Sequence, residues 1–502
     1  MLNAWGAGRT LLVVGGGFSG TLFALVAAAQ PRVRVILIEQ ATRAGRGLAY
    51  GDACDPQHLL NVPVARMEVG LSPTFAQWLG DRRSDPAADL DPALDEAEGH
   101  LGSAFVGRQL FGAYLAECLE TAAAAPEGAL VRVRGEAVKV EKGQRPAVHL
   151  ADGRRLEGDM VVLATGHLPP RPPRCRDAWF YDTPQFVADP WCWPESADLP
   201  PDAPVLLIGA GLTMVDVALK LAAQGHRGPL LAVSRHGLLP HTHLPPAQAH
   251  AGPAPAAPVL DPEAAPGPVA ALRHLRAAAR AAKAAGIPWQ KVMDAARPRV
   301  ADVWSRWTLK DKARFLRHGR TLWDVHRHRM APRIAAGMAA LLATGRLQVM
   351  AGRIHGFRRT DAGTRVSIRT QAGGVTGFDA ATVVNCTGPR SDFAAIGVPV
   401  FEDLRRSGLL VPDALGLGIE TRDCAVLDRF GDASRWLFAL GPLTRPAWWE
   451  ITAVPEIAAQ VHRLAETLTA PGRTTGAAPD RAPRPSMADA LRKDFLNIGA
   501  GI

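Results

Sequence analysis

The sequence contains few cysteines and no closely spaced pair of them. The six cysteines among 502 residues are scattered and never form a C-x-x-C motif. This spacing argues against a disulfide scaffold, the usual zinc sites and a redox-active dithiol, so no metal site is predicted. Each cysteine, including Cys118 on an apolar helix face, is predicted to be a small buried hydrophobic residue.

The sequence also lacks a membrane span and an export signal. No apolar run is long enough to cross a bilayer, and the first residues do not combine a basic, an apolar and a cleavable segment. We therefore expect a cytoplasmic protein without a membrane partner.

The charge of the chain is basic but carries no nucleic-acid signature. The formal net charge is +9, yet the basic residues are spread along the chain and form no basic motif interleaved with aromatic residues. An anionic small molecule is the better interpretation, because a basic surface also concentrates phosphorylated cofactors. With 47% hydrophobic and 21% charged residues, the chain is typical of globular proteins, and its length predicts two or three domains.

Glycines at residues 15–20 are the strongest local signal. They form the pattern G-x-G-x-x-G between an apolar strand ending at Val14 and an apolar helix. Gly15 would permit the turn, Gly17 would let a pyrophosphate approach the backbone, and Gly20 would let the helix pack against the strand. A second apolar strand ends at Glu39, where a carboxylate would bind an adenosine ribose. The alternative is a glycine turn without a ligand.

A second strand, glycine turn and helix follow a proline-rich segment. Gly209 and Gly211 occupy the first two glycine positions, whereas Met214 stands at the third. The next strand ends at Ser234 and Arg235 instead of an acid, and an arginine there suits a ribose 2′-phosphate. This favours NADP over NAD. The alternative is a solvated Arg235 and NAD as the cofactor.

Several loops are predicted to approach a cofactor. Thr165-Gly166 and Thr387-Gly388 each end a strand in a small-residue turn, and a glycine-rich loop around Gly47 leaves the first nucleotide unit. Beyond it, His58 and Asn61 would lie beside the isoalloxazine ring if the nucleotide is FAD. Their alternative role is hydrogen bonding to local backbone.

The chain between residues 270 and 344 is predicted to be mainly helical and basic. Arg327 and Arg329 lie two residues apart there and could bind a phosphate or carboxylate of the substrate, because guanidinium geometry suits both. The alternative is a solvated basic face. Arg108 is expected to be solvated. Near the end of the chain, Thr452 is predicted to be the N-cap of a helix.

Together these motifs resemble a bacterial FAD/NAD(P)-binding protein family of two-dinucleotide flavoproteins, related to flavin-containing and N-hydroxylating monooxygenases. The resemblance implies an α/β fold with two Rossmann-like dinucleotide-binding domains, the second inserted into the first, and an additional helical segment. The predicted boundaries are 1–195 for the first part of the FAD-binding domain, 200–345 for the NADP-binding domain with its helical insertion, 346–470 for the returning part, and 471–502 for a flexible tail.

The resemblance also implies FAD and NADPH as cofactors. Gly15, Gly17 and Gly20 would hold the FAD pyrophosphate, whereas Gly209, Gly211 and Thr213 would hold that of NADPH. Gly441 and the helix near Thr452 would face the flavin. The complete predicted cofactor set is Gly15, Gly17, Phe18, Ser19, Gly20, Glu39, Gly47, Val138, Thr165, Gly166, Gly209, Gly211, Thr213, Ser234, Arg235, Thr387, Gly388, Gly441 and Thr452.

The predicted activity is an FAD-dependent, NADPH-using oxidoreductase acting on a small-molecule substrate or electron acceptor. Its reduced flavin would activate O₂ for hydroxylation or pass electrons to another acceptor. Because the flavin carries the chemistry, no side-chain nucleophile or acid–base pair is required, and Asn61, as a polar group near the ring, is the candidate catalytic residue. The alternatives are a reductase or oxidase that does not oxygenate and a redox-responsive protein that binds FAD and NADP without rapid turnover.

Overall fold

The computed structural model describes residues 8–83, 100–125, 128–193, 199–245, 248, 255, 259–360, 363–393 and 397–470. The predicted tail at 471–502 lies outside these residues. So do most of an acidic loop predicted at 79–100 and parts of an irregular loop predicted at 240–268.

The secondary structure alternates between strands and helices. The strands are β1 (Arg9–Val14), β2 (Val33–Glu39), β3 (Leu130–Arg134), β4 (Ala137–Glu141), β5 (Ala147–Leu150), β6 (Arg155–Glu157), β7 (Met160–Leu163), β8 (Phe186–Val187), β9 (Val205–Ile208), β10 (Leu230–Ser234), β11 (Leu347–Thr360), β12 (Gly363–Thr370), β13 (Val375–Ala380), β14 (Thr382–Asn385), β15 (Thr421–Arg422), β16 (Ala425–Leu427) and β17 (Ala433–Ala439). The helices are α1 (Phe18–Ala28), α2 (Gly47–Tyr50), α3 (Phe75–Arg83), α4 (Arg108–Ala124), α5 (Leu212–Ala223), α6 (Pro268–Ala284), α7 (Trp289–Ala296), α8 (Val300–Arg306), α9 (Leu309–His318), α10 (Arg320–Arg327), α11 (Pro332–Ala343), α12 (Pro399–Arg406) and α13 (Val454–Thr469).

Two seven-stranded sheets organise the chain. The first has the order β15-β16-β17-β7-β1-β2-β3, with β17 to β3 parallel and a β15–β16 hairpin at one edge. The second has the order β13-β12-β11-β10-β9-β14-β8, with β11 to β8 parallel. Because β8 to β14 lie between β7 and β15 in the sequence, the second unit is inserted into the first. The predicted fold class is confirmed.

Sheet membership corrects the predicted domain boundaries. The second sheet begins with β8 and ends with β14, so it includes residues 186–187 and 347–385 that the prediction gave to the first domain. β11 pairs in parallel with β10 from Leu230 opposite Leu347 onwards. The sequence predicts strands from about Leu347 onwards, but strand periodicity does not say which sheet they join, and no strand is predicted at 186–187. The alternation of residues 131–140 predicts a strand, which the structure divides between β3 and β4 in different sheets.

Helices cover both sheets, as parallel strands buried on both faces require. In the first unit α1, α4 and α13 pack on one face, while α12 and the small β4-β5-β6 sheet pack on the other. In the second unit α5 and α11 cover one face. Helices α6 to α9 form a separate aromatic core around Trp304. This agrees with the predicted helical segment.

The structure tests the predictions about cysteine burial and about membrane spans. All six cysteines are free. Cys54, Cys386 and Cys424 are buried as predicted, Cys118 and Cys175 are only partly buried, and the prediction of burial is wrong for Cys192, which is exposed. Among the described residues, no helix has the length and apolarity needed to cross a membrane.

Candidate functional site

The first glycine turn joins β1 to α1, and its geometry requires glycine at two positions. Gly15 has a φ of +105°, and a Cβ there would lie 2.5 Å from the carbonyl oxygen of Ala164. A Cβ on Gly20 would lie 1.8 Å from the carbonyl oxygen of Gly15. The helix and strand therefore approach each other at a distance that no side chain permits. This is the packing role predicted for the third glycine.

Gly17 differs because the space around it is open. A Cβ there would meet only the Cα of Gly47, at 3.6 Å. Gly17 is the N-cap of α1, and its helix end has no side-chain cap. Backbone N–H groups and the positive end of the helix dipole are thus left for an anion. The side chain of Phe18, in contrast, packs on Phe111 with ring centroids 5.7 Å apart.

Glu39 lies beside this turn. One carboxylate oxygen accepts a hydrogen bond from the Gly16 N–H at 2.6 Å, and the other accepts from the Ala41 N–H at 2.8 Å. The N–H of Gly135 donates to the Glu39 carbonyl oxygen, which places the start of β4 nearby. Val138 lies at the irregularity in the pairing of β4 with β5. Ribose binding by Glu39 and cofactor contact by Val138 stay predictions.

Thr165, Gly166 and Gly441 gather at the same end of the sheet. Thr165 follows β7, and its hydroxyl oxygen is buried without a hydrogen-bond partner among the described residues. An orphaned buried hydroxyl is costly unless a ligand or water satisfies it. Gly441 follows β17, and a Cβ there would lie 2.6 Å from the Ser19 hydroxyl oxygen. The structure therefore brings together the turns that the sequence placed around one cofactor.

The helix predicted to begin at Thr452 begins later. Its N-cap is Ala453 and its first residue is Val454, while the Thr452 N–H donates to the Glu450 carbonyl oxygen at 2.6 Å. The N-cap prediction is therefore wrong. Local backbone bonding holds Thr452 in the preceding turn, and Pro455 fixes the first turn of α13 instead.

The second glycine turn repeats the first on β9 and α5. Gly209 has a φ of +119°, and a Cβ there would lie 2.4 Å from the carbonyl oxygen of Cys386. A Cβ on Gly211, the N-cap of α5, would have nothing within 4 Å. Met214, at the third glycine position, is fully buried in the core of the second unit. The open space at Gly211 matches that at Gly17.

The other predicted residues of the second unit surround this turn. β14 pairs with β9 up to Asn385 and Ile208, so Thr387 and Gly388 lie next to Gly209. The Thr387 hydroxyl donates to the side-chain oxygen of Asn385 at 2.7 Å. Thr213 lies in the first turn of α5. Ser234 ends β10, and its hydroxyl accepts from the Gly237 N–H at 3.1 Å.

Arg235 lies in a cluster of positive charges that the sequence did not reveal. Desolvation and the charges of Arg320 and Arg353 lower the pKa of the Arg235 guanidinium, whereas the negative charge of Asp324 acts in the opposite direction. Asp324 also pairs with Arg320 at 3.3 Å. Like charges held together at a strand end are stabilised by an anion. Arg353 could have been found only after β11 was paired with β10.

The predicted anion site at Arg327 and Arg329 is corrected by their burial. Arg327 is 4% exposed, and its guanidinium lies 3.1 Å from a Glu450 carboxylate oxygen and 3.6 Å from one of Glu456. Arg329 is 1% exposed and pairs with Asp294. Both charges are therefore neutralised by carboxylates of this chain. The basic run looked available because its acidic partners are distant in the sequence.

His58 and Arg108 connect the two units. The Nδ1 atom of His58 accepts from the Asp55 N–H at 3.1 Å, so its Nε2 carries the proton and donates to the Asp216 carbonyl oxygen at 3.3 Å. Arg108 forms a salt bridge to the Asp216 carboxylate at 2.9 Å, with both side chains largely buried. The expectation of a solvated Arg108 is wrong, because Asp216 lies on α5 of the other unit. His58 bonds to local backbone, as one alternative had it, and also to α5, while its place beside a flavin ring stays a prediction.

Asn61 also lies at this junction. Its carbonyl oxygen accepts a hydrogen bond from His243 Nε2 at 2.9 Å. Burial and the charge of Arg329 lower the pKa of His243 to about 4, so this histidine stays neutral near neutral pH. The side chain of Asn61 is half-buried, and its role near a flavin stays a prediction.

The comparison with protein families bears directly on the first glycine turn. Residues 12–168 match the model of an FAD-NAD(P)-binding domain. The matched segment contains the first glycine turn and extends from β1 to the Thr165-Gly166 turn. We call this group of turns the first cradle, and the corresponding turn at Gly209 and Gly211 the second cradle. The sequence matches none of the curated proteins.

Solved structures share the fold over nearly the whole chain. An ornithine N-hydroxylase from Kutzneria sp. 744 has a TM-score of 0.62 at 15% identity, with 92% of this chain and 99% of that chain covered. A cadaverine monooxygenase from Erwinia amylovora has a TM-score of 0.62 at 11% identity, with 95% and 100% covered. A flavin-containing monooxygenase from Stenotrophomonas maltophilia has a TM-score of 0.51 at 13% identity, with 92% and 98% covered. The predicted resemblance to two-dinucleotide flavoproteins is confirmed for the fold.

Proposed function

We propose that this protein is an FAD-dependent oxidoreductase that uses NADPH. The observation that carries the proposal is the pair of matching cradles, one on each sheet, each with an uncapped helix N-terminus and an open glycine position at Gly17 or Gly211. The first cradle lies in the FAD-NAD(P)-binding domain. Beside the second cradle, the strand β10 is followed by Arg235, which lies in a cluster with Arg320 and Arg353. This cluster suits a 2′-phosphate and favours NADPH as the occupant.

The residues of the chain supply binding, orientation and charge. When bound, FAD would accept a hydride from the nicotinamide and pass electrons to O₂ or to another acceptor. The N–H groups at the N-terminus of α1 would hold the pyrophosphate, and Glu39 would hold the ribose. The Thr165 hydroxyl would offer a hydrogen bond to the bound cofactor. The contacts of Arg108 and His58 with Asp216 fix α5 against the first unit, so they orient the second cradle toward the first.

Hydroxylation of a small substrate is the favoured outcome of the electron transfer. The structures similar to this chain include an ornithine N-hydroxylase with reduced FAD, NADP⁺ and L-ornithine, and a cadaverine monooxygenase bound to FAD. A reductase or oxidase without oxygenation is the alternative. Oxygen uptake and hydrogen peroxide release, measured while NADPH is consumed, distinguish them, because an oxygenase with its own substrate consumes O₂ without releasing an equal amount of peroxide.

The proposal is tested by rapid mixing of the purified protein with NADPH in the absence of oxygen. We expect the absorbance of oxidised flavin to disappear within milliseconds to seconds, and more slowly with NADH. Failure of both nicotinamides to reduce the flavin would remove the enzyme proposal and leave a binding protein.

Replacing Arg235 by alanine is expected to weaken NADPH binding about tenfold or more, because a charge-assisted contact to the 2′-phosphate is lost. NADH binding should not change. The measurement is a titration with each nicotinamide. Arg227→Ala is the matched control, because Arg227 is exposed in the same unit and pairs with Asp202. Equal losses for NADPH and NADH would show that Arg235 does not bind the 2′-phosphate.

A further inference from the structure

A large apolar cavity lies in the helical segment, away from both glycine turns. Its volume is about 530 Å³, within the range of small-molecule sites. Helices α6 to α10 supply most of the lining, and Trp449, from the loop before α13, closes one side. No role in cofactor binding accounts for this cavity.

The walls of the cavity are largely aromatic and apolar. Trp304 stacks on Trp449 with ring centroids 4.8 Å apart. The indole N–H of Trp304 donates to the Pro446 carbonyl oxygen, and that of Trp307 donates to the Ala265 carbonyl oxygen. Because these donors are used within the protein, the rings offer apolar surface. An apolar ligand would gain free energy from burial there.

The ionisable residues along the lining are all basic. They are His241, Arg276, Arg314, His318 and His326, and no Asp or Glu is among the described residues that line the cavity. An ammonium group would therefore find no carboxylate to pair with. Arg276 and Arg314 are exposed and can meet an anionic group that stays near water.

The surface around the cavity has exposed apolar side chains. Val269, Leu272 and Leu322 line the cavity and are 42%, 41% and 46% exposed. Apolar side chains grouped at one place on a surface mark an interaction site. On the inner side, the Trp449 indole nitrogen is buried without a hydrogen-bond partner among the described residues. An acceptor on a ligand would satisfy it.

We propose that this cavity binds an amphiphilic anion, a small molecule with an apolar body and one carboxylate or sulfonate group. The body lies among Trp304, Trp307 and Trp449, and the acidic group lies at Arg276 and Arg314. The site does not use either nicotinamide or flavin for binding. Its ligand class differs from the ornithine and cadaverine named for two similar solved structures, because their ammonium groups need carboxylates, which the described residues of this lining do not supply.

The cavity is connected to the first cradle through one segment of chain. Gly441 lies against Ser19 of α1, and eight residues later Trp449 forms a wall of the cavity. Between them, the Arg445 guanidinium lies 4.2 Å from the Trp449 ring centroid. Surrounding protein and the charge of Arg445 lower the pKa of His167, which follows the Thr165-Gly166 turn, to about 4. Residues 441–449 thus join the first glycine turn to a wall of the cavity.

The test is a fluorescence titration of the FAD-bound protein with anilinonaphthalene sulfonate, without nicotinamide. We expect saturable binding that laurate displaces and dodecylamine does not. Ala279→Phe, which fills the cavity from α6, should weaken binding at least about tenfold. Ala277→Phe is the control, because Ala277 is exposed on the same helix outside the lining. Equal binding by these two variants, or equal displacement by laurate and dodecylamine, would overturn the proposal.

A charge-removing variant tests the anionic part separately. Arg276→Ala combined with Arg314→Ala should weaken the sulfonate dye about tenfold and leave neutral phenylnaphthylamine unchanged, whereas Arg273→Ala, outside the lining, should change neither. Sedimentation at rising protein concentration supplies the last outcome. A dimer that Leu272→Asp dissociates would assign the cavity to a second copy of the chain and overturn the small-molecule proposal. Because dye binding needs no hydride transfer, these results are independent of the flavin-reduction test.

Discussion

Gly17→Val should give a folded protein that purifies with less than about a tenth of the normal FAD content. Gly17 has a φ of −75° and a ψ of −166°, which a valine can adopt. A Cβ there would meet the protein only at the Gly47 Cα, 3.6 Å away. The added side chain therefore fills space that the protein leaves open, and the group excluded is the pyrophosphate at the N-terminus of α1. The measurement is the flavin-to-protein absorbance ratio, with thermal unfolding as the check on folding.

Two matched variants make this result specific. Gly211→Val places the same side chain in the second cradle, where a Cβ would have nothing within 4 Å, and should spare FAD while abolishing NADPH binding. Gly20→Ala should instead prevent folding, because its Cβ would lie 1.8 Å from the Gly15 carbonyl oxygen. A Gly17→Val protein with full flavin content would refute the assignment of FAD to this cradle.

The glycine turns were predictable because their signal is local. Within about thirty residues, a strand, a glycine turn, a helix and a second strand specify one unit whose geometry follows from backbone sterics. The structure accordingly places Gly15, Gly20 and Gly209 where only glycine fits. The position of Thr165 and Gly441 near the first glycine turn was also predictable, because strands that end in small-residue turns at the carboxyl edge of a parallel sheet meet at the same place.

Partners distant in the sequence were not predictable in this way. Arg327 looked available for a substrate because its neighbours along the chain are basic, yet Glu450, more than a hundred residues later, neutralises it. Arg353 was missed because β11 was assigned to the wrong sheet. Whether a charged side chain is free depends on tertiary contacts, and one sequence does not contain them.

The salt bridge between Arg108 and Asp216 also joins residues that are distant in the sequence. Its loss is expected to have the second large effect, on the free energy of unfolding. Asp216→Ala should lower the free energy of unfolding by about 3 kcal/mol, because it leaves the Arg108 guanidinium buried without its carboxylate. The Arg108 and Asp216 side chains are only 15% and 9% exposed. Replacing both residues, with Arg108→Met and Asp216→Leu, should restore most of the stability, since the desolvated charge is then removed as well. Urea unfolding of the FAD-bound protein measures both changes.

Asp202→Ala is the control, because it removes an ion pair that is not buried. Arg227 and Asp202 also lie 2.9 Å apart, but they are 66% and 69% exposed, so removing that pair should cost less than about 1 kcal/mol. If Asp216→Ala is no more destabilising than Asp202→Ala, the contact between the two units does not depend on this salt bridge.

The Arg108–Asp216 pair also fixes α5, which begins at the second cradle, against α4 of the first unit. We therefore expect the protein with both replacements to retain FAD, because its stability is recovered. Reduction of its flavin by NADPH should be slower, because the two contacts between Arg108 and Asp216 that orient one cradle toward the other are lost.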